Sequence, residues 1–275
     1  MTGTVLITGA TGFVGHQVLR RLANSSVEIR AVVREGSEDK LIEGVPLEAV
    51  ITTPDLFAES VDWWAKVCEG VDTVIHVAWY VESGEYLQSP RNLDCLTGSI
   101  KLAQGAERAG VRRVIGVGSC FEYDLTAGRL SVESPLKPLS LYAAAKTAVF
   151  STLSHFLPAQ GIEFLWCRLF YLYGDREDPR RLVPYIRSKL AAGEPAELGS
   201  GDQIRDFTDV AVAGEMIADE AMGERQGAAN ICSGVPITVR EIAEKIADEY
   251  GRRDLLHFGV RPDNEIDPPC VVGIR

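Results

Sequence analysis

Through the first two-thirds of the chain, short β-branched apolar runs alternate with longer stretches in which hydrophobic side chains recur at helical spacing. This pattern predicts a strand over Val5–Thr8, a helix from Phe13 to about Asn24, and a second strand over Val27–Val33. Further strands fall at Asp72–Ala78, Val111–Gly118 and Ile162–Phe170, separated by helices that include Ser89–Ala109 and Leu141–Phe156. Strands that alternate with crossover helices build a parallel sheet covered on both faces, so the fold class is α/β, doubly wound. After Gly174 the pattern gives way to DREDPRRLVPYIRSKL and then to shorter strand and helix signals. We therefore divide the chain into a first domain over 1–170, completed by part of 205–230, and a smaller lobe over 171–275, with a cleft between them.

Composition narrows the class. A chain of 275 residues, 46% hydrophobic and 24% charged, can bury one large core with a smaller lobe attached. The 28 Lys and Arg against 39 Asp and Glu leave a net charge of −11, with no basic run to follow a phosphate backbone, so nucleic acid is not an expected partner. MTGTVLITGA enters the first strand without a charged leader, and no run of about eighteen apolar residues occurs; a soluble, cytoplasmic protein is expected. The six cysteines form no C-x-x-C pair, which predicts reduced thiols and no metal site.

The first strand runs into TGATGFVG, with Gly9, Gly12 and Gly15 three apart where the helix begins. Glycines at such a turn let the backbone approach a pyrophosphate, and the helix points its free N–H groups at the anion. Thr11, Phe13 and Val14 belong to the same dinucleotide-binding segment. The second strand ends Val32-Val33-Arg34-Glu35. An arginine there suits the 2′-phosphate of NADP, whereas an acid suits the bare ribose of NAD; Arg34 favours NADP, and Glu35 keeps NAD open.

Tyr142-Ala-Ala-Ala-Lys146 puts a phenol and an ammonium on one face of a helix. A nearby cation would lower the tyrosine pKa and make it a proton donor and acceptor. Ser119 leaves the apolar strand VIGVG at the carboxyl end of the sheet, the side on which doubly wound folds bind ligands. His76, within an apolar strand, reads as a hydrogen-bonded structural histidine, and of the neighbours Trp63 and Trp64 one is expected in the core. Trp79 and Tyr80 follow a strand at the ligand end, where they would wall a sugar pocket. Asp175, Glu177 and Asp178 read as a solvated loop.

In this order, TGATGFVG, DTVIHVA, GSCFEYD, YAAAK, RLFYLYG, GDQIRDFTDV and NICSGVPITVREIA make the chain resemble the extended short-chain dehydrogenase/reductase family of NAD(P)-dependent sugar epimerases, dehydratases and reductases. The resemblance implies a Rossmann sheet with a C-terminal substrate lobe, a homodimer, and a nucleotide-sugar substrate. It makes Ser119, Tyr142 and Lys146 the catalytic triad, places Asp55 and Leu56 by the adenine, and sets Ala78, Trp79 and Phe170 along the cofactor. On the substrate it places Tyr80, Ser119, Cys120, Phe121, Tyr171, Arg261 and, at the pyrophosphate, Arg205. GSCFEY is similar to the nucleotide-sugar 4-ketoreductases, and the acidic pair that dehydratases carry after the catalytic hydroxyl is replaced here by Cys120 and Phe121. Three features depart from the family: Cys95 precedes Gly98-Ser99 where an Asn is usual, Tyr171 stands where an Asn often meets the substrate, and the chain ends at Arg275, where the family usually continues. The expected activity is NADP-dependent reduction of a nucleotide-linked 4-keto-6-deoxysugar. A 4-epimerase with tightly held NAD is the alternative, and a non-catalytic dinucleotide sensor is the alternative from another class.

Overall fold

The computed structural model describes residues 3–264 and 267–275. Its centre is a seven-stranded parallel sheet: β1 (Thr4–Thr8), β2 (Glu28–Arg34), β3 (Ala49–Thr53), β4 (Thr73–His76), β5 (Arg113–Ser119), β6 (Glu163–Leu169) and β7 (Gly227–Ile231). Across the sheet the order is β7-β6-β5-β4-β1-β2-β3. The chain thus winds outward from β1 to β3, returns to β4 on the other side of β1, and winds outward again. Such a reversal opens a crevice at the carboxyl ends of the strands beside the switch point.

Alternation along each strand divides the core in two. Val5, Ile7, Ile29, Ala31, Val33, Ile115, Leu165 and Cys167 face α1 (Phe13–Leu22) and the Val210–Met222 helix, while Leu6, Val32, Val114, Phe164 and Trp166 face the opposite layer. That layer contains α2 (Val61–Val67), α3 (Arg91–Arg108) and α4 (Leu141–Ala159). Full burial of a side chain such as Leu6 contributes about 1.5–3 kcal/mol. Trp64 is wholly buried and Trp63 only partly, as their place on an amphipathic helix predicts. Two glycines of α3 make the layer close: a Cβ at Gly98 would stand 2.5 Å from Phe57 Cα, and one at Gly105 2.3 Å from Trp64 Cβ.

The hydrophobic pattern predicts five of the seven strands to within a few residues. β3 escapes it because it is an edge strand whose side chains are largely half-buried or exposed, and β7 because it opens on Gly-Ala-Ala. Beyond β6, α5 (Leu182–Ala192) packs on the Val239–Tyr250 helix through Val183, Ile186, Leu190, Ile242 and Ile246. A small sheet of Ile237–Thr238, Ile204–Arg205, Cys270–Gly273 and Arg129–Leu130 lies beside it. The buried Asp206 carboxylate ties these pieces together, accepting from Ser233 N at 2.8 Å, Gly234 N at 2.8 Å and Gly273 N at 3.2 Å. Among the described residues, no helix is long and apolar enough to cross a membrane.

His76 joins three elements, as a structural histidine should. Its Nδ1 lies 2.8 Å from Thr8 Oγ1 on β1 and its Nε2 2.9 Å from Ser99 Oγ on α3. Ser99 already donates its hydroxyl proton to Cys95 O, so it must accept from Nε2–H, which leaves Nδ1 to accept from Thr8. Burial pushes the His76 pKa down from 6.5 to about 3, and the Lys146 charge adds to the effect. Between those values the unfolded chain binds a proton that the folded chain refuses. Stability supplied by the neutral ring is therefore present above pH 6.5 and is lost as pH falls, by about 1.4 kcal/mol per unit. Denaturant midpoints measured at several pH values between 4 and 6.5 should show a slope about one proton shallower in His76→Leu; equal slopes in variant and wild type would remove His76 as the source.

Candidate active site

A cavity of about 700 Å³ opens at the carboxyl ends of β1, β4, β5 and β6. The turn after β1 forms its floor. Gly9 has φ +75°, and Gly12 N donates to Gly9 O at 3.0 Å. A Cβ at Gly15 would fall 2.1 Å from Gly9 O, and one at Gly9 2.7 Å from Ala78 N, so only glycines allow these segments to touch. Thr11, Gly12, Phe13 and Val14 line the cavity, and the N-cap of α1 carries no side-chain hydrogen bond and no acid in its first turn. The exposed N–H groups and positive helix end fit a dinucleotide diphosphate.

Beyond the carboxyl ends of β2 and β3 the lining includes Arg34, Ser37, Lys40, Asp55 and Leu56; Glu35 does not take part. Lys40, a second cation, is absent from the sequence reading because a short 3-10 turn, Glu38–Lys40, brings it round. Asp55 is held by its own turn: Phe57 N donates to its Oδ1 at 3.0 Å, and Arg91 lies 3.3 Å from its Oδ2.

Ser119, Tyr142 and Lys146 meet in the lining of the same cavity, which also includes Ala78, Trp79 and Phe170. Helix α4 starts on Ser140, whose hydroxyl accepts from Ala143 N at 3.2 Å, and this cap sets Tyr142 and Lys146 one turn apart on the buried face. The Lys146 ammonium donates to Val117 O on β5 at 2.6 Å. Burial lowers its pKa to about 8, against the raising effects of the Glu122 carboxylate and the Cys95 sulfur. The Tyr142 phenol differs from the sequence expectation. Burial drives its pKa up, the neighbouring Tyr86 adds to the rise, and the hydrogen bond with Ser119 opposes it. Lys146, whose Nζ is 5.5 Å from the phenol ring centroid, does not bring the tyrosine down. The unliganded site therefore keeps Tyr142 neutral, the form a proton donor needs.

Behind Ser119 lies a buried polar network that the sequence did not disclose. Glu122, fully buried, accepts from Ser119 N at 2.7 Å, from Trp166 Nε1 at 3.0 Å and from Arg168 Nε at 2.9 Å. Arg168 also donates to Tyr123 OH at 3.1 Å, which donates to Asn230 Oδ1 at 2.7 Å. Glu122 is thus committed to the scaffold, and positions 120 and 121 offer a thiol and a ring, so no carboxylic acid follows Ser119 into the cavity.

On the remaining wall stand Tyr80, Cys120, Phe121, Tyr171 and Arg205. Burial pushes the Cys120 thiol up, out of the reactive range. Arg205 is buried, and its charge is met by Asp267 Oδ2 at 2.6 Å. Arg261 is not brought into this cavity. It stacks 4.7 Å from the Tyr185 ring centroid in an adjoining cleft of about 350 Å³. The acidic loop also needs correction: Asp175 is exposed, but Glu177 and Asp178 line the cavity, and burial raises the Glu177 carboxyl to about 7. Tyr86 and Arg181 are further lining residues that no sequence motif marks. Among the described residues, no three His, Cys, Asp or Glu side chains converge as a metal site.

A glycine turn at the switch point and a Ser, Tyr, Lys trio lining one cavity with it are the arrangement of a short-chain dehydrogenase. The chain belongs to the NAD dependent epimerase/dehydratase family, whose model matches residues 5–231. It is 23% identical over 274 residues, 98% of this chain and 99% of the other, to a dTDP-6-deoxy-L-talose 4-dehydrogenase (NAD(+)) of Aggregatibacter actinomycetemcomitans. Solved structures share the fold, two of them as follows. A UDP-N-acetylglucosamine 4-epimerase from Methanobrevibacter ruminantium M1, in complex with UDP-N-acetylmuramic acid, has a TM-score of 0.87 at 21% identity over 99% of this chain and 89% of that one. The dTDP-glucose 4,6-dehydratase DesIV from Streptomyces venezuelae, with NAD and TYD bound, has a TM-score of 0.82 at 23% identity over 98% and 88%.

Removing Glu122 leaves the Arg168 guanidinium buried without its counter-ion, which costs about 3–5 kcal/mol, whereas replacing both partners by apolar groups of similar volume is close to neutral. Glu122→Ala should accordingly lower the unfolding free energy by about that amount in urea, and the double replacement Glu122→Met with Arg168→Met should recover part of it, the remainder being the Ser119 N–H and Trp166 Nε1–H left without an acceptor. A loss under about 1 kcal/mol for Glu122→Ala would show that the pair is not the anchor of this wall.

Proposed function

We propose that the chain reduces the C4 keto group of a nucleotide-linked 4-keto-6-deoxysugar, with NADP as cofactor and Tyr142 as proton donor. The observation that carries this reading is the buried phenol of Tyr142 beside Ser119 and Lys146 in a cavity floored by the glycine turn. The cofactor, when bound, supplies the hydride. Gly9, Thr11, Gly12, Phe13, Val14 and Gly15 would hold its diphosphate, Arg34 and Lys40 its adenosine phosphate, Asp55 and Leu56 the adenine, and Ala78, Trp79 and Phe170 the nicotinamide half. Ser119 hydrogen-bonds the keto oxygen, Tyr142 passes its phenolic proton to that oxygen, and the Lys146 ammonium balances the phenolate left behind. Tyr80, Cys120, Phe121, Tyr171 and Arg205 bound the sugar nucleotide. Residues 1–170, with part of 205–230, serve the cofactor, and 171–275 mainly the substrate.

Two observations support reduction over dehydration. Cys120 and Phe121 supply no acid after Ser119, and the talose dehydrogenase relative is matched along almost its whole length. A 4-epimerase using NAD is the second reading, favoured by the fold likeness to the Methanobrevibacter epimerase and by the NAD(+) in the relative's name. NADPH oxidation on addition of dTDP- and UDP-4-keto-6-deoxysugars supports the first reading. Interconversion of UDP-sugars without added cofactor, with oxidised NAD copurifying, supports the second.

Tyr142→Phe should lower kcat by about 10²- to 10⁴-fold and leave NADPH affinity nearly unchanged, since the phenol acts on the substrate oxygen. Retention of more than a tenth of wild-type kcat when chemistry limits the rate would exclude Tyr142 as the acid.

Arg34 lines the cavity and Glu35 does not. Hydrogen bonds to a charged group contribute about 1.5–3 kcal/mol, so wild type should bind NADPH roughly ten- to a hundredfold more tightly than NADH. Titration should show Arg34→Ala erasing most of that preference and Glu35→Ala changing little; tighter NADH binding in the wild type sinks the NADP assignment.

A further inference from the structure

We propose that Trp79 is a positioning residue for Lys146, seating the buried ammonium against its indole face and so keeping a positive charge beside Tyr142. The contact is short: Lys146 Nζ lies 4.0 Å from the Trp79 ring centroid, against 5.5 Å for Tyr142 and 5.8 Å for Trp166. The indole is itself held in place. Its Nε1 donates to Asn92 Oδ1 at 2.9 Å, and its edge packs against Phe57 at 6.3 Å and Tyr142 at 6.3 Å between centroids. Asn92 is in turn fixed by donation to Tyr86 O at 2.6 Å and Ser89 O at 2.9 Å.

Donor arithmetic gives the contact its meaning. An ammonium has three N–H groups. One goes to Val117 O, and one faces the negative quadrupole of the indole, so the third is the one left for a ligand in the cavity. Without the ring a second N–H would be buried with no acceptor, and the charged form would lose ground to the neutral amine. Other groups that face Lys146 cannot take over this task. Glu122 on the turn after β5 already serves Arg168 and Trp166, Cys95 on α3 carries a thiol that burial raises to about 11, and His76 on β4 is neutral. Tyr142 on α4 is neutral as well.

This inference rests on the reading of Lys146 as the partner of Tyr142 but is tested without substrate or cofactor, so the two can fail separately. The ionisation midpoint of Lys146 is read by titrating the side-chain resonance of isotope-labelled lysine in the unliganded protein, with the signal assigned by its loss in Lys146→Arg. A desolvated cation–π contact converts to about one pH unit or more. Trp79→Leu should lower the midpoint by that much, and Trp79→Phe, which keeps an aromatic face, should restore a large part of the shift. The ammonium is then lost at lower pH, and the alkaline limb of kcat/KM for the active enzyme moves down with it. A merely structural role would leave the midpoint where it is. Should Trp79→Leu fail to fold, the same titration on wild type grown with fluorinated tryptophan, which drains the ring face without changing its shape, gives the reading, with Trp79→Phe grown the same way as control for Trp166. An unchanged midpoint with fluorinated tryptophan, or equal midpoints in Trp79→Leu and wild type, overturns the proposal.

Discussion

Burying the Glu122 carboxylate at the carboxyl end of β5 constrains everything around it. A charge so far from water must be met by a counter-charge and further donors, or it costs more than the fold can spare. The donors come from β6, where Trp166 and Arg168 reach across, and from the backbone of Ser119 itself. This demand explains the glycines of VIGVG: a Cβ at Gly116 would stand 2.3 Å from the Trp166 ring and one at Gly118 2.2 Å from its Nε1. The strand therefore gives up two side chains so that an indole can lie across it and hold the carboxylate. Arg168 extends the network to Tyr123 and Asn230, which binds the carbonyls of Leu130 and Ile274 at 2.9 Å each. Ser119 thus leaves the sheet from a wall whose polar bonds all lie behind it.

On the cavity side the wall is aromatic, and this decides the electrostatics. Helical spacing alone suggests that Lys146 brings Tyr142 toward neutrality in pH. The two side chains do share a face, but the ammonium is turned to Val117 O and the Trp79 ring, while the phenol is packed edge-on to Tyr86 at 4.9 Å. Burial then acts on both in opposite directions, raising the phenol and lowering the ammonium. The resting site holds a proton on Tyr142 and a charge on Lys146 that burial makes easy to lose.

The parts of this protein legible in its sequence are those in which one residue's local geometry sets its role. Val5, Leu6 and Ile7 alternate between two cores, so β1 is visible as a strand, and the Gly9 to Gly15 spacing reports a backbone approach that no other residue permits. The Tyr142 to Lys146 spacing reports one helix face. Where a role depends on a distant partner, the sequence is silent. Glu122 needs Arg168, forty-six positions on, to be intelligible. Glu177 reads as a charged loop residue until its neighbours bury it, and Lys40 reaches the cavity only through a three-residue turn. Strands β3 and β7 were hidden for a simpler reason: a sheet edge and a small-residue strand carry little apolar signal.

The wall that carries Arg205 shows the same economy of charge. Arg205 is buried but not bare, since Asp267 holds it in a charge-assisted bond and its guanidinium lies 5.2 Å from the Tyr171 ring centroid. An anionic ligand reaching Arg205 exchanges one such bond for another instead of gaining one outright, because the desolvation of the arginine has already been met within the fold. Asp267 is placed to couple the two, as it lines both the main cavity and the adjoining cleft in which Arg261 rests on Tyr185. The Arg205–Asp267 ion pair therefore stands at the seam between the two compartments, with its arginine buried and its carboxylate partly open to solvent.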